Sequence, residues 1–215
     1  MSKQLWDVEE VPPPTGTDGR QLTERGARTR ERLLQAAETV FAALGYHDAS
    51  IVKITDAADV AQGTFYLYFG SKQQIFDELV MDLNRRIRRA MSEYADTATT
   101  RADRERLGFQ GYFRFAAEHP ALYRVIRQAE TVSPHILKEH YQRISRGYVT
   151  GLAEAMEAGD IATSDPEVLA WMLMGIGEIV GMRWILWGET DVVPDEVFDQ
   201  MYLFVTRGMG TGPDR

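Results

Sequence analysis

The chain of 215 residues contains no cysteine. Disulfides and thiolate metal sites are therefore excluded. Histidine is scarce, at four residues: His47, His119, His135 and His140. The run His135-Ile-Leu-Lys-Glu139-His140 fits neither helical zinc-protease spacing. His135 and Glu139 share a helix face, which holds a loose metal at best and otherwise is a solvated face. A Gly-rich phosphate loop following a strand is missing, as is a Gly-x-Ser-x-Gly nucleophile elbow. Catalysis thus has no residues to stand on, and neither an enzyme nor a cofactor or metal is expected. Met1 to Asp18 is polar, acidic and proline-rich, without the apolar core of a secretory signal. The expected compartment is a reducing cytoplasm.

An excess of basic residues is also lacking, since the net charge is −8. Its distribution is more informative than its sum. From Arg20 to Arg89, eleven Lys/Arg stand against nine Asp/Glu, whereas from Ala90 onward twelve stand against nineteen. The cationic excess lies in the N-terminal third. The acidic remainder argues against a second nucleic-acid surface and repels DNA from the wrong face.

Within the cationic third, Ser50 to Ile75 organises the chain. Ile51, Ile54 and Ala58 follow one apolar helix face, and Ser50 is a good N-cap for it. Asp59 falls where the chain turns sharply, and Asp tolerates the left-handed conformation. Val60 plugs the turn into the core. Gln62, Gly63 and Thr64 open a second helix, very short, whose Phe65 and Phe69 face inward. Tyr66 and Tyr68 are then left on other faces. A helix-turn-helix places such a second helix in the DNA major groove. Gln62 and Thr64 are the candidate base readers, because Gln pairs bidentately with adenine and Thr meets a base edge or a thymine methyl. Lys53 and Lys72 are candidate phosphate contacts. Lys72 follows Ser71, which caps the next helix with Gln74 completing a capping-box pattern, and a helix start seats phosphate.

This stretch resembles the DNA-binding domain of TetR-family transcriptional regulators. The resemblance rests on Ser50, Ile51, Ile54, Ala58, Val60, Gly63, Thr64, Tyr66, Tyr68, Phe69, Ser71 and Lys72. Asp59 stands where the family usually has a turn glycine. Ala61 replaces a frequent serine, so one cap and one DNA contact are missing. The resemblance implies phosphate oxygens as partners of the Tyr66 and Tyr68 hydroxyls; buried rings are the structural alternative. It implies that the helix from Ser71 to about Tyr94 links a DNA head to a regulatory domain, so that a lean of it alters the distance between two heads.

The expected fold is all-α. A disordered tail (1–22) precedes a three-helix helix-turn-helix domain (23–70), a linking helix (71–95) and a helical ligand-binding and dimerisation domain (96–215). The first helix is expected over Thr29–Gly45, with Leu33, Ala37, Val40, Phe41 and Leu44 inward. Arg28, Arg30 and Arg32 at its start either touch phosphate or stay solvated. Thr97–Arg104 reads as a hinge. Later helices are expected near Arg104–Ala117, Pro120–Thr131, Pro134–Ala158, Pro166–Gly188 and Pro194–Arg207. The apolar run from Leu169 to Gly188 has membrane-spanning length, but Glu178 and Arg183 oppose insertion. It reads instead as a helix covered on all sides.

Gly177 and Gly181, four apart, admit a neighbouring helix. Together with Val197, Met201, Phe204 and Val205 they give a candidate four-helix interface between two subunits. A homodimer carrying two heads matches a palindromic operator. Tyr112, Phe113, Tyr123, Tyr141, Trp171, Met174 and Met182 are candidate pocket walls, with Arg127 and Glu178 as polar anchors. They suit a mostly apolar effector with one polar end, such as an acyl chain, an acyl thioester or an aromatic drug-like molecule. The expected function is a ligand-responsive repressor that binds double-stranded operator DNA. The alternative is an architectural DNA-binding protein without sequence preference.

Overall fold

The computed structural model describes residues 13–188 and 191–210. It is all-α: among the described residues there is no strand, only an isolated bridge between Thr15 and Gln21. Among the described residues nine α-helices follow one another: α1 Glu24–Asp48, α2 Ile51–Ala57, α3 Gln62–Phe65, α4 Lys72–Ala95, α5 Arg101–Glu118, α6 Ala121–Val132, α7 Pro134–Ala158, α8 Pro166–Gly181 and α9 Asp195–Met209. The described residues divide into two compact units, one comprising residues 13–83 with Ala121–His140, the other Asn84–Pro120 with those from Tyr141 onward.

In the first unit, α1 begins earlier than the apolar stripe implies, because the Thr23 side chain accepts from Gly26 N–H and caps it. It does not end at Gly45. That residue takes φ +77°, and the chain resumes helix to Asp48. A left-handed break of this kind suits glycine. Leu33, Leu34, Ala37, Val40 and Phe41 are buried, whereas Leu44, expected in the same stripe, is exposed. The Phe41 ring meets Phe76 of α4 edge-on at 5.2 Å.

The expected disorder of the tail is corrected in part. Residues 1–12 lie outside the described residues. Pro14 to Leu22 builds neither helix nor sheet, but it closes on itself through Gly16 N–H to Arg20 C=O (2.9 Å) and Leu22 N–H to Pro14 C=O (2.9 Å).

In the second unit the expected hinge shrinks, because Thr100 accepts from Asp103 N–H and starts α5 at Arg101. Gly111 of α5 lies against α4, where a Cβ would stand 2.7 Å from the Ala90 carbonyl oxygen. α8 passes into a π-helical turn, Met182–Leu186, closed by Trp187 N–H to Met182 C=O at 2.9 Å. Pro166–Leu186 has the length and apolarity of a membrane span, yet Glu178 within it accepts from the Tyr141 hydroxyl at 2.8 Å.

Candidate nucleic-acid interface

Three short elements place the interface. Ser50 caps α2 by accepting from Lys53 N–H at 3.2 Å. Asp59 holds the turn at φ +51°, and Val60 N–H closes it onto Thr55 C=O at 3.0 Å. A β-branched residue fits that conformation poorly. Asp59→Val is accordingly expected to cost about 1–2 kcal/mol in a urea melt, with Asp59→Gly near neutral. Ala61 gives α3 no side-chain cap. Phe65 and Phe69 are fully buried, with ring centroids 5.6 Å apart, and tie α3 to the core.

With those two rings inward, the opposite surface is open. Gln62 and Gly63 are exposed, and Thr64 is half-buried. Nothing lies within 4 Å of a Cβ built on Gly63, so the backbone there can approach a partner closely. Tyr66 is exposed and Tyr68 half-buried, so neither ring belongs to the core. Lys53 is exposed, its ammonium donating to Asp48 C=O at 2.9 Å. Arg28 is exposed and pairs with Glu24 one turn back.

Two of the expected phosphate ligands are placed differently. Arg30 is turned inward, ion-paired with Glu78 of α4 and 4.9 Å above the Phe69 ring. The Lys72 ammonium donates to the carbonyls of Tyr46 (2.7 Å) and Ala49 (2.8 Å), and lies 4.3 Å from the Tyr46 ring centroid. Both long cations brace α1 against α4. Ser71 does cap α4, accepting from Gln74 N–H at 3.0 Å, while the Gln74 side chain reaches back to Gly70 N–H at 2.8 Å.

Arg32 has a structural partner that its sequence position does not reveal: its guanidinium donates to the Ala58 and Asp59 carbonyls at the end of α2. The same holds for Gln128 of α6. That side chain accepts from Tyr46 N–H at 2.6 Å, just past the Gly45 break, and donates to Phe41 C=O at 3.1 Å. The Tyr46 hydroxyl donates to Gln73 at 2.9 Å, and burial with the nearby Asp77 carboxylate raises its pKa. These contacts join residues far apart in the chain, and no local spacing announces them.

The candidate effector residues are scattered. In the second unit Tyr141 bonds Glu178, and its ring centroid is 6.0 Å from that of Trp171. Phe113 and Met182 are buried, Tyr112 and Met174 half-buried, and Trp171 is 44% exposed. In the first unit Tyr123 is buried and Arg127 is exposed. A cleft of about 750 Å³ in the second unit is lined by Phe113 together with Tyr94, Arg106, Gln110, Arg114 and Phe198, among others. Only Phe113 of the expected walls takes part.

The candidate interface glycines also change face. A Cβ on Gly177 would lie 3.0 Å from the Phe109 ring, and Gly181, Met201 and Val205 are buried within the chain's own core. Val197 is half-buried, and Phe204 is 69% exposed. The open apolar face of α8 is the neighbouring one: Val168, Met172 and Ile179, with Trp187 beyond the π turn. Leu203 and Phe204 of α9 are exposed as well.

The family model for bacterial regulatory proteins of the tetR family matches residues 33–79, which covers α1 from Leu33 through the start of α4. The chain is 43% identical over 68 residues to an uncharacterised HTH-type transcriptional regulator, YdgC, of Bacillus subtilis, the match spanning 32% of this chain and 35% of that one. It is 29% identical over 211 residues to the HTH-type transcriptional repressor KstR2 of Rhodococcus jostii, covering 93% and 97% of the two chains. Among solved structures it resembles the transcriptional regulator FadR of Bacillus subtilis in complex with stearoyl-CoA, with a TM-score of 0.73, 24% identity, and 83% and 98% of the chains covered. The fold, the capped and turned helix-turn-helix and these likenesses agree on one point: residues 33–79 form a DNA-binding domain of the kind found in the tetR family of bacterial transcriptional regulators.

Proposed function

We propose that this regulator is a repressor that works in the cytoplasm as a homodimer on a palindromic operator and lets go when a small, largely apolar molecule binds. The observation that carries the DNA half is the open α3 surface, Gln62 to Thr64 with Tyr66, held outward by buried Phe65 and Phe69. Gln62 and Thr64 read bases, while Tyr66, Tyr68, Lys53 and Arg28 face phosphate, with Ser50 fixing the start of α2. Residues 23–70 serve as the reading head, 71–95 as the link and 96–215 as the ligand and dimer domain. The exposed apolar residues of α8 and α9 support a dimer, since a solvated monomer rarely leaves such a face open. Two heads about 34–36 Å apart then meet successive major grooves.

The effector class follows from likeness. The Bacillus subtilis FadR structure holds stearoyl-CoA, which supports an acyl or acyl-thioester ligand here. The buried and half-buried aromatic and methionine side chains of the second unit, with Tyr141 and Glu178 as a polar end, suit that chemistry. Release then reflects different affinities of the ligand for two arrangements, typically about 1–3 kcal/mol.

The test is selection of bound fragments from a genomic library at moderate salt, followed by footprinting. A few palindromic sites are expected. On such a site Gln62→Ala should relax preference at one base position, at about 1–3 kcal/mol. Binding without any sequence preference would instead make the protein architectural.

A further inference from the structure

The recognition helix α3 has four residues, Gln62–Phe65. So short a helix cannot hold its own geometry, because one turn makes too few hydrogen bonds to offset its nucleation. Its N-terminus has no side-chain cap. Its C-terminal end is held from elsewhere. The Thr17 hydroxyl donates to Tyr66 C=O at 2.9 Å, and Thr17 N–H donates to Leu67 C=O at 3.0 Å, across 49 and 50 residues of sequence. These two carbonyls follow the last turn of α3, where helix ends are left without intrahelical partners.

The segment that carries Thr17 is itself closed. Thr15 bridges Gln21, Gly19 N–H bonds Gly16 C=O at 3.0 Å, and Arg20 N–H bonds the Asp18 carboxylate at 3.0 Å. It sits tightly on the helix end: a Cβ on Gly16 would stand 3.1 Å from the Leu67 carbonyl oxygen.

We propose that Pro14–Leu22 is a working part of the reading head, a strap that fixes the orientation of α3, with Thr17 as its positioning residue. Thr17 contacts the helix end rather than DNA. It acts by holding Tyr66 and, through α3, Gln62 and Thr64 at the angle the groove requires. The proposal rests on the DNA-binding role of α3. Arg20 lies in the same strap, with its side chain 88% exposed beside Asp18. A cationic arm built on Arg20 is the competing account.

The experiment measures affinity for a selected operator, and for random DNA, over a series of salt concentrations, using the full chain. The variants are Thr17→Val, Thr17→Ser, Gly16→Val and Arg20→Ala. Thr17→Val should weaken operator binding about fivefold, as expected for losing a net hydrogen bond or so. Its salt slope and its affinity for random DNA should match the wild type. Thr17→Ser, which keeps the hydroxyl, should restore binding. Gly16→Val keeps Thr17 but lifts the strap off Leu67, and should reproduce the loss. Thr17→Val binding like the wild type, or Thr17→Ser being as weak as Thr17→Val, would overturn the proposal. So would a slope reduced by about one in Arg20→Ala with Thr17→Val neutral, the signature of a phosphate contact. If the wild type itself selects no operator, the DNA role of α3 fails, which is a separate result.

Discussion

Lys72→Met lowers the stability of the protein by about 2–3 kcal/mol in a urea melt, and operator affinity falls with it. This outcome is expected because the Lys72 ammonium is committed to the carbonyls of Tyr46 and Ala49, with His47 C=O further off at 3.4 Å. Those carbonyls lie beyond the Gly45 break, where α1 ends and its dipole favours a cation. A hydrogen bond to a charged donor contributes about 1.5–3 kcal/mol, and its loss leaves half-buried carbonyls to find water. Methionine keeps the stem that packs on the Tyr46 ring, so the loss reports the charge. A phosphate ligand would behave differently: the melt would stay unchanged and the salt slope would drop by about one. The two measurements together decide between bracing and phosphate binding.

Glu105→Ala is expected to cost more, about 3–5 kcal/mol, in the same melt. Glu105 of α5 is 2% exposed and pairs with Arg101, whose side chain is 7% exposed and also donates to Gly151 C=O of α7 at 3.2 Å. Removing the carboxylate strands a buried guanidinium, and broken buried pairs fall in that range. Burial pushes the Glu105 carboxyl above its ordinary value, against the pull of Arg101. A raised folded pKa means stability that is full below the unfolded value and is lost as pH rises through the folded one. The difference in stability between wild type and Glu105→Gln should therefore move against the wild type as pH rises through and above the usual carboxylate range. Equal pH profiles for the two proteins would refute the raised value. Tyr148, fully buried, is pushed further up by burial and by Glu105.

The helix-turn-helix was legible because its determinants are local. The Ser50 cap, the left-handed Asp59, the uncapped Ala61 and the inward Phe65 and Phe69 each depend on neighbours within four residues. Both ends of α7, Pro134 and Ala158, could be read for the same reason. The partners of Arg30, Lys72 and Gln128 could not, since long side chains reach across 23 to 87 residues of sequence. α8 failed differently. It is apolar nearly all round, so nothing in its pattern distinguishes the face of Gly177, packed on Phe109, from the open face of Met172 and Ile179. The tail misled through composition: proline and glycine forbid regular structure there, but they do not forbid a closed turn anchored on Leu67.

The chain has four tryptophans, and none falls between Asp7 and Ala170. Trp171, Trp184 and Trp187 all lie on α8 or at its π-helical end, with Trp171 and Trp187 largely open to solvent. Apart from Trp6, which lies outside the described residues, the intrinsic emission of the protein is therefore an optical probe of one surface. It registers whatever comes to cover α8. Dilution through a subunit equilibrium can be followed by a blue-to-red shift without any dye.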